Sequence, residues 1–154
     1  MKAVVQRVSE AGVTVAGEEI GAIGAGLVVL LAVEHGDGER EVTLMARKIA
    51  GLRIFPDERG RMHHAVRDIH GGVLAISQFT LAANLDKGFR PSFDRAEEPN
   101  RARMLFDSFC QRLHAEGVEV ATGRFGADMR VRLINDGPVT FTLSFTPGGA
   151  DRHS

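Results

Sequence analysis

The sequence predicts an α+β domain: a curved, mostly antiparallel, barrel-like β-sheet with two helices. Three observations carry the prediction. Short strand-like runs bounded by glycine and other turn residues recur along the whole chain. Two stretches, 42–49 and 102–113, repeat apolar residues at helical spacing. The resulting order, β-β-β-α-β-β-α-β-β, fits strands and helices packed as an α+β domain.

Each element follows from local pattern. "AVVQRVSEAGVTV" at 3–15 holds two alternating runs around Glu10-Ala11-Gly12, which predicts a hairpin. "EEIGAIGAG" at 18–26 is turn-rich, and its glycines precede a strand, so they are no dinucleotide fingerprint. "GLVVLLAV" at 26–33 is a continuous apolar run, hence a fully buried strand. Asp37 is a candidate N-cap for a helix whose buried stripe is Val42, Met45, Ala46 and Ile49, with Gly51 at its end. "LRIFPDERGRM" at 52–62 reads as a short strand and a turn, and "GGVLAIS" at 71–77 as a second buried strand. Residues 82–98 are polar and loop-like. Pro99 suits a first helical turn, and Ala102, Leu105, Phe106, Phe109 and Leu113 form the second helical stripe. "VEVATG", "MRVRLI" and "VTFTLSF" complete the strands; in the last, Val139, Phe141, Leu143 and Phe145 alternate with polar residues. Between the last two, "NDGP" predicts a hairpin turn. Pro138 is odd there, because it lacks the N–H that a ladder needs.

With 154 residues the default is a single domain, placed at 1–146, with a disordered tail at 147–154. The longest apolar run, 27–33, is too short to span a membrane, and the charged N-terminus does not resemble a signal peptide. The single cysteine, Cys110, excludes an internal disulfide framework and fits a reducing, cytoplasmic setting. It borders the second helical stripe and reads as a packed thiol. A net charge of −1 argues against a general nucleic-acid coat but leaves room for a local RNA patch.

No phosphate-binding loop, HExxH zinc motif or GxSxG elbow is present. His63, His64 and His70 lie close together, without standard metal spacing, so no metal and no cofactor is expected. The remaining chemistry is in two places. Ser77, Gln78, Phe79 and Thr80 follow a buried strand and are positioned to line a pocket, or else form the polar face of an edge strand. Gly137-Pro138 interrupts the last strand pair.

These stretches carry a resemblance. "QRV" at 6–8, "GAGLVVLLAVE" at 24–34, "RIFPDERGRM" at 53–62, "SQFTLAA" at 77–83, "KGFRPSF" at 87–93 and "TGRFGADMRVRLINDGPVTF" at 122–141 resemble the D-aminoacyl-tRNA deacylases of bacteria and eukaryotes. SQFTL and NDGPVT in this order are the specific part. One departure is His63, where the family usually has Asn. The resemblance implies a carboxylic ester hydrolase that frees D-amino acids, and glycine, from the 3′ end of tRNA. It implies a homodimer whose sites are each completed by a cis Gly137-Pro138 motif from the other subunit, supported by Arg7.

Under that resemblance, main chain around Gln78-Phe79-Thr80 would stabilise the oxyanion, and the ribose 2′-OH, both donor and acceptor, would assist water. Thr80 as nucleophile is the competing view, although no base stands beside it in sequence. Phe125 and Met129 would stack on the terminal adenine or pack in the core. Lys87 and Arg90 would meet phosphates or remain solvated loop charges.

Overall fold

The computed structural model describes residues 1–149. Its centre is β1 (Lys2–Val15), which pairs with three strands, all antiparallel. Along one edge, residues 2–8 pair with β3 (Gly26–Ala32) and residues 11–15 pair with β2 (Glu18–Ile23). Along the other edge runs β8 (Arg130–Ser144). Two expectations are corrected here. Glu10-Ala11-Gly12 is no hairpin; it is where one bent strand changes partners. "EEIGAI" is a strand, because it folds back on β1 in a hairpin whose turn is Ala16-Gly17, and this pairing outweighs its own turn composition.

Beyond β3 the sheet becomes parallel. β3 pairs with β6 (Gly72–Ser77), and β6 with β7 (Glu119–Thr122). Helix α1 (Glu39–Gly51) and the small ribbon of β4 (Phe55–Pro56) and β5 (Met62–His64) fill the first crossover. Helix α2 (Pro99–Ala115) fills the second. Parallel strands are covered on both faces, which is why β3 and β6 read as continuous apolar runs. Successive residues point to opposite sides. Leu27, Val29, Leu31, Val73 and Ala75 meet the helices, while Val28, Leu74 and Ile76 fill the barrel interior with Val8 and Val13. The sheet is therefore mixed, with antiparallel pairs in the majority, and barrel-like. Its two ends nearly meet: a Cβ on Gly21 of β2 would lie 2.6 Å from the Thr122 carbonyl oxygen of β7. Gly26 allows a second close approach, since a Cβ there would sit 1.9 Å from the Gly72 oxygen.

Both helical stripes are buried as expected, from Val42 to Ile49 and from Ala102 to Leu113. Pro99 opens α2, whose first N–H groups are capped by the Glu98 carboxylate, 2.6 Å from the Arg101 nitrogen. Asp37 is not the cap of α1; Gly38 is. Asp37 is fully buried and binds the Met1 α-ammonium at 2.7 Å. The Met1 ammonium also donates to the Phe145 carbonyl at 2.8 Å, so this ion pair fastens the start of β1 and the end of β8 to the segment that leads into α1. Burial pushes the Asp37 carboxyl above the ordinary range, against the pull of the ammonium.

Past β8, residues 146–149 form a turn closed by the Gly149 N–H on the Thr146 oxygen. The remainder of the tail expected to be disordered lies outside the described residues. Among the described residues, no helix is long and apolar enough to cross a membrane.

Candidate active site

The first part of the site grows out of a strand end. β6 is buried as far as Ile76, and Ser77 still pairs with Leu31. Gln78 adds a last rung, its N–H donating to the Leu31 oxygen at 2.8 Å. The chain then coils into a 3₁₀ turn over Phe79–Ala82. At its start, the N–H groups of Phe79 and Thr80 have no acceptor within the turn. The Gln78 side-chain amide donates to Thr80 Oγ1 at 2.6 Å. The edge-strand reading of this stretch is corrected, because β6 lies between β3 and β7.

This turn borders a cavity of about 440 Å³. Ser77, Gln78 and Phe79 line it, together with Phe125 and Met129. Phe125 and Met129 each pack on a core cluster, as one of their two readings expects, and each also lines the cavity. Thr80 is not among the lining residues. The cavity is completed from the start of α2, where Ala102 and Glu97 contribute. Glu97 was not singled out in the sequence, since an acid in a polar loop carries no local signal. Its carboxylate accepts the Glu98 N–H at 2.9 Å and lies 3.1 Å from His35 Nδ1 and 3.2 Å from Arg101 Nε. The Glu98 N–H, aided by His35 and Arg101, holds this carboxyl below the ordinary range despite partial burial.

The second part lies on β8. The "NDGP" hairpin is corrected: β8 is one strand, paired with β1 on both sides of an irregularity. Gln6 faces Thr140 and Val8 faces Asn135, so 136–139 bulge out opposite Arg7 alone. The bulge removes the ladder that Pro138 could not have served. The Gly137-Pro138 peptide is cis, and Gly137 has φ +134°. Arg7 holds the base of the bulge: Nε donates to the Asp136 oxygen at 3.0 Å and Nη1 to the Ile54 oxygen at 2.6 Å. The structure thus brings Arg7 to Gly137-Pro138, and Ser77-Gln78-Phe79 to Phe125 and Met129. It does not join the groups, for neither Arg7, Gly137 nor Pro138 lines the cavity of its own chain. The bulge and most of β8 are exposed, including Ile134 and Phe141.

The other candidates fall outside both parts. His63 Nδ1 takes a hydrogen bond from Arg53, and its ring packs edge-on against His64. Among the described residues, no three His, Cys, Asp or Glu side chains are grouped to hold a metal ion. Cys110 packs against the core, and burial pushes its thiol up to about 12, out of nucleophile range. Lys87 and Arg90 stand exposed on the loop after the 3₁₀ turn.

A family model described as "D-Tyr-tRNA(Tyr) deacylase" matches residues 4–144. The D-aminoacyl-tRNA deacylase of Magnetococcus marinus is 62% identical over 148 residues, covering 96% of this chain and 98% of that protein. The D-aminoacyl-tRNA deacylase of Geobacter metallireducens is 57% identical over 143 residues, covering 93% and 95%. Among solved structures, a c-Myc DNA unwinding element binding protein superposes with a TM-score of 0.88 at 43% identity, over 95% of this chain and 99% of that one. A probable eukaryotic D-amino acid tRNA deacylase superposes with a TM-score of 0.82 at 16% identity, over 92% and 97%, which shows the shared fold.

Proposed function

The chain belongs to the D-Tyr-tRNA(Tyr) deacylase family, and from that premise we propose that it hydrolyses the ester of D-aminoacyl-tRNA, releasing the D-amino acid and a free tRNA 3′ end. The observation that carries the reading is the convergence of Ser77, Gln78 and Phe79 with Phe125 and Met129 on one cavity. Phe125 and Met129 offer surfaces on which the terminal adenine stacks, as single-stranded ends are commonly read. Water attacks the ester carbonyl, the bond to the ribose oxygen breaks, and that oxygen leaves with a proton. The vicinal 2′-OH positions the water. The N–H groups of Phe79 and Thr80 meet the oxyanion. Gln78 drops out of the set of oxyanion donors, because its N–H is committed to Leu31. Thr80 is a poor nucleophile here: its hydroxyl is bound by the Gln78 amide, and among the described residues no base is hydrogen-bonded to it.

In the same proposal the protein is a homodimer, and the exposed bulge at 136–139 of one subunit closes the cavity of the other. Its main-chain carbonyls accept the substrate α-ammonium and leave room for hydrogen alone in one direction at Cα. A D residue then fits and its L counterpart clashes, which is specificity by rejection. Glycine has hydrogen in both directions and passes, so glycyl-tRNA mischarged on tRNA-Ala is also a substrate. The protein acts in the cytoplasm, where charged tRNA is used.

The test is deacylation of a matched pair, one D-aminoacyl-tRNA and its L counterpart. Rapid hydrolysis of the D ester with the L ester spared is expected. Equal rates on both, or none on either, would overturn the reading.

A further inference from the structure

The loop at 85–91 holds the most exposed large apolar side chain of the described residues. Phe89 is fully exposed, at 108% of its reference area, and Leu85 stands 69% exposed beside it. Lys87 and Arg90 flank Phe89, and neither has a hydrogen-bond or ion-pair partner among the described residues. The loop is held firmly at its base. Asn84 and Ser92 exchange both backbone hydrogen bonds, at 2.7 and 3.0 Å, and the Asn84 side chain accepts the Asp86 N–H at 2.9 Å. It is rooted beside the cavity, for Asn84 follows the 3₁₀ turn, and Phe93 packs edge-on against the cavity residue Phe79 at 5.1 Å.

An aromatic face between two free cations matches the chemistry of an unpaired nucleotide, with a base to stack and phosphates to neutralise. We infer that the 85–91 loop is a single-strand RNA clamp. Phe89 stacks on an unpaired base just upstream of the terminal adenosine, and Lys87 and Arg90 contact the adjoining phosphates. The inference rests on the deacylase reading and adds to it a contact outside the cavity. Such a clamp explains how a chain of net charge −1 grips RNA, since the positive charge needed is local.

The test compares two substrates with the same D-aminoacyl ester: full tRNA, and a D-aminoacyl-adenosine that lacks the upstream nucleotides. Phe89→Ala should raise KM for the tRNA by roughly fivefold or more, with kcat and the D-to-L ratio retained. Hydrolysis of the adenosine ester should not change, and Phe89→Trp should restore KM. Lys87→Ala and Arg90→Ala should each lower the slope of log affinity against log salt by about 0.7. An unchanged KM for tRNA in Phe89→Ala would overturn the clamp. So would an equal loss on both substrates, which would put Phe89 in the ester site. A loss accompanied by dissociation in sedimentation would also overturn it, by making the loop a subunit contact. Failure of the unmutated protein on every D-aminoacyl-tRNA would sink the deacylase reading instead, and is a separate result.

Discussion

The turn at Phe79–Ala82 and the bulge at 136–139 are both irregular backbone attached to strands of one sheet, yet they are braced differently. The turn is braced by its own chain from several sides, although Phe79 and Thr80 themselves are exposed. A rung to Leu31 fixes its entry, Gln78 holds Thr80, and Phe125 and Met129 share its cavity. The bulge faces outward: Arg7 holds the Asp136 carbonyl from behind, Gly137 and Pro138 are exposed, and neither lines the cavity of its own chain. In the proposed dimer the difference separates two tasks. Rate enhancement needs preorganised donors, which a braced turn supplies. Rejection of a mirror image needs a rigid wall, and a wall carried by another subunit can be built without disturbing the donors.

Substitutions in the two regions should therefore fail in different ways. The largest effect is expected at Phe79. Proline there removes the proposed oxyanion donor at the first position of the turn, where no turn hydrogen bond is lost. Phe79→Pro should lower kcat on the order of 10²–10³-fold, and Phe79→Ala, which keeps the N–H, far less. Similar losses in single-turnover assays of both variants would move the oxyanion role elsewhere. Next comes Gly137→Ala. The Gly137 backbone is in a region that favours glycine, and an added Cβ would lie 2.8 Å from Val139 Cγ2. A side chain is strained at this φ, and Val139 or the main chain must give, so the D-to-L ratio should fall on the order of tenfold. Competition assays with both esters measure it, and an unchanged ratio would break the link between the bulge and selectivity.

Smaller effects refine the picture. Arg7→Lys loses the fork that reaches both Asp136 and Ile54, and should cost about tenfold in the same ratio with kcat on the D ester little changed. A fall in kcat alone would show that Arg7 serves the turn. Thr80→Ala removes only the acceptor of the Gln78 bond and should keep activity within about tenfold. Complete loss in a folded, tRNA-binding protein would revive the nucleophile model.

The same contrast governs how much was legible in the sequence. Both helices were readable with their main buried stripes, because helical spacing is local and Val42-Met45-Ala46-Ile49 and Leu105-Phe106-Phe109 each fall on one face. The buried parallel strands were readable for the same reason. What failed was decided at long range. "NDGP" is locally a hairpin, but β1 lies alongside and pairs on both sides of it. Asp37 is locally a cap, but its partner is the Met1 ammonium, 36 positions away. In the site, SQFT was legible as a motif at a strand end, whereas Glu97 reaches the cavity through a distant pairing, its N–H donating to the Val33 oxygen just past β3.

The central claim is that the bulge of one subunit serves the cavity of the other, and cross-complementation tests it most directly. Phe79→Pro supplies a subunit with a damaged turn and an intact bulge, and Gly137→Ala the reverse. In a two-fold dimer, a mixed pair holds one site with both defects and one with neither. Unfolding and refolding the two variants together and isolating the mixed dimer by different tags should give about half the unmutated D activity with the unmutated D-to-L ratio, because the single sound site carries all the turnover. A mixed dimer with the lowered D-to-L ratio of Gly137→Ala would contradict the account, and would place each bulge in the service of its own chain.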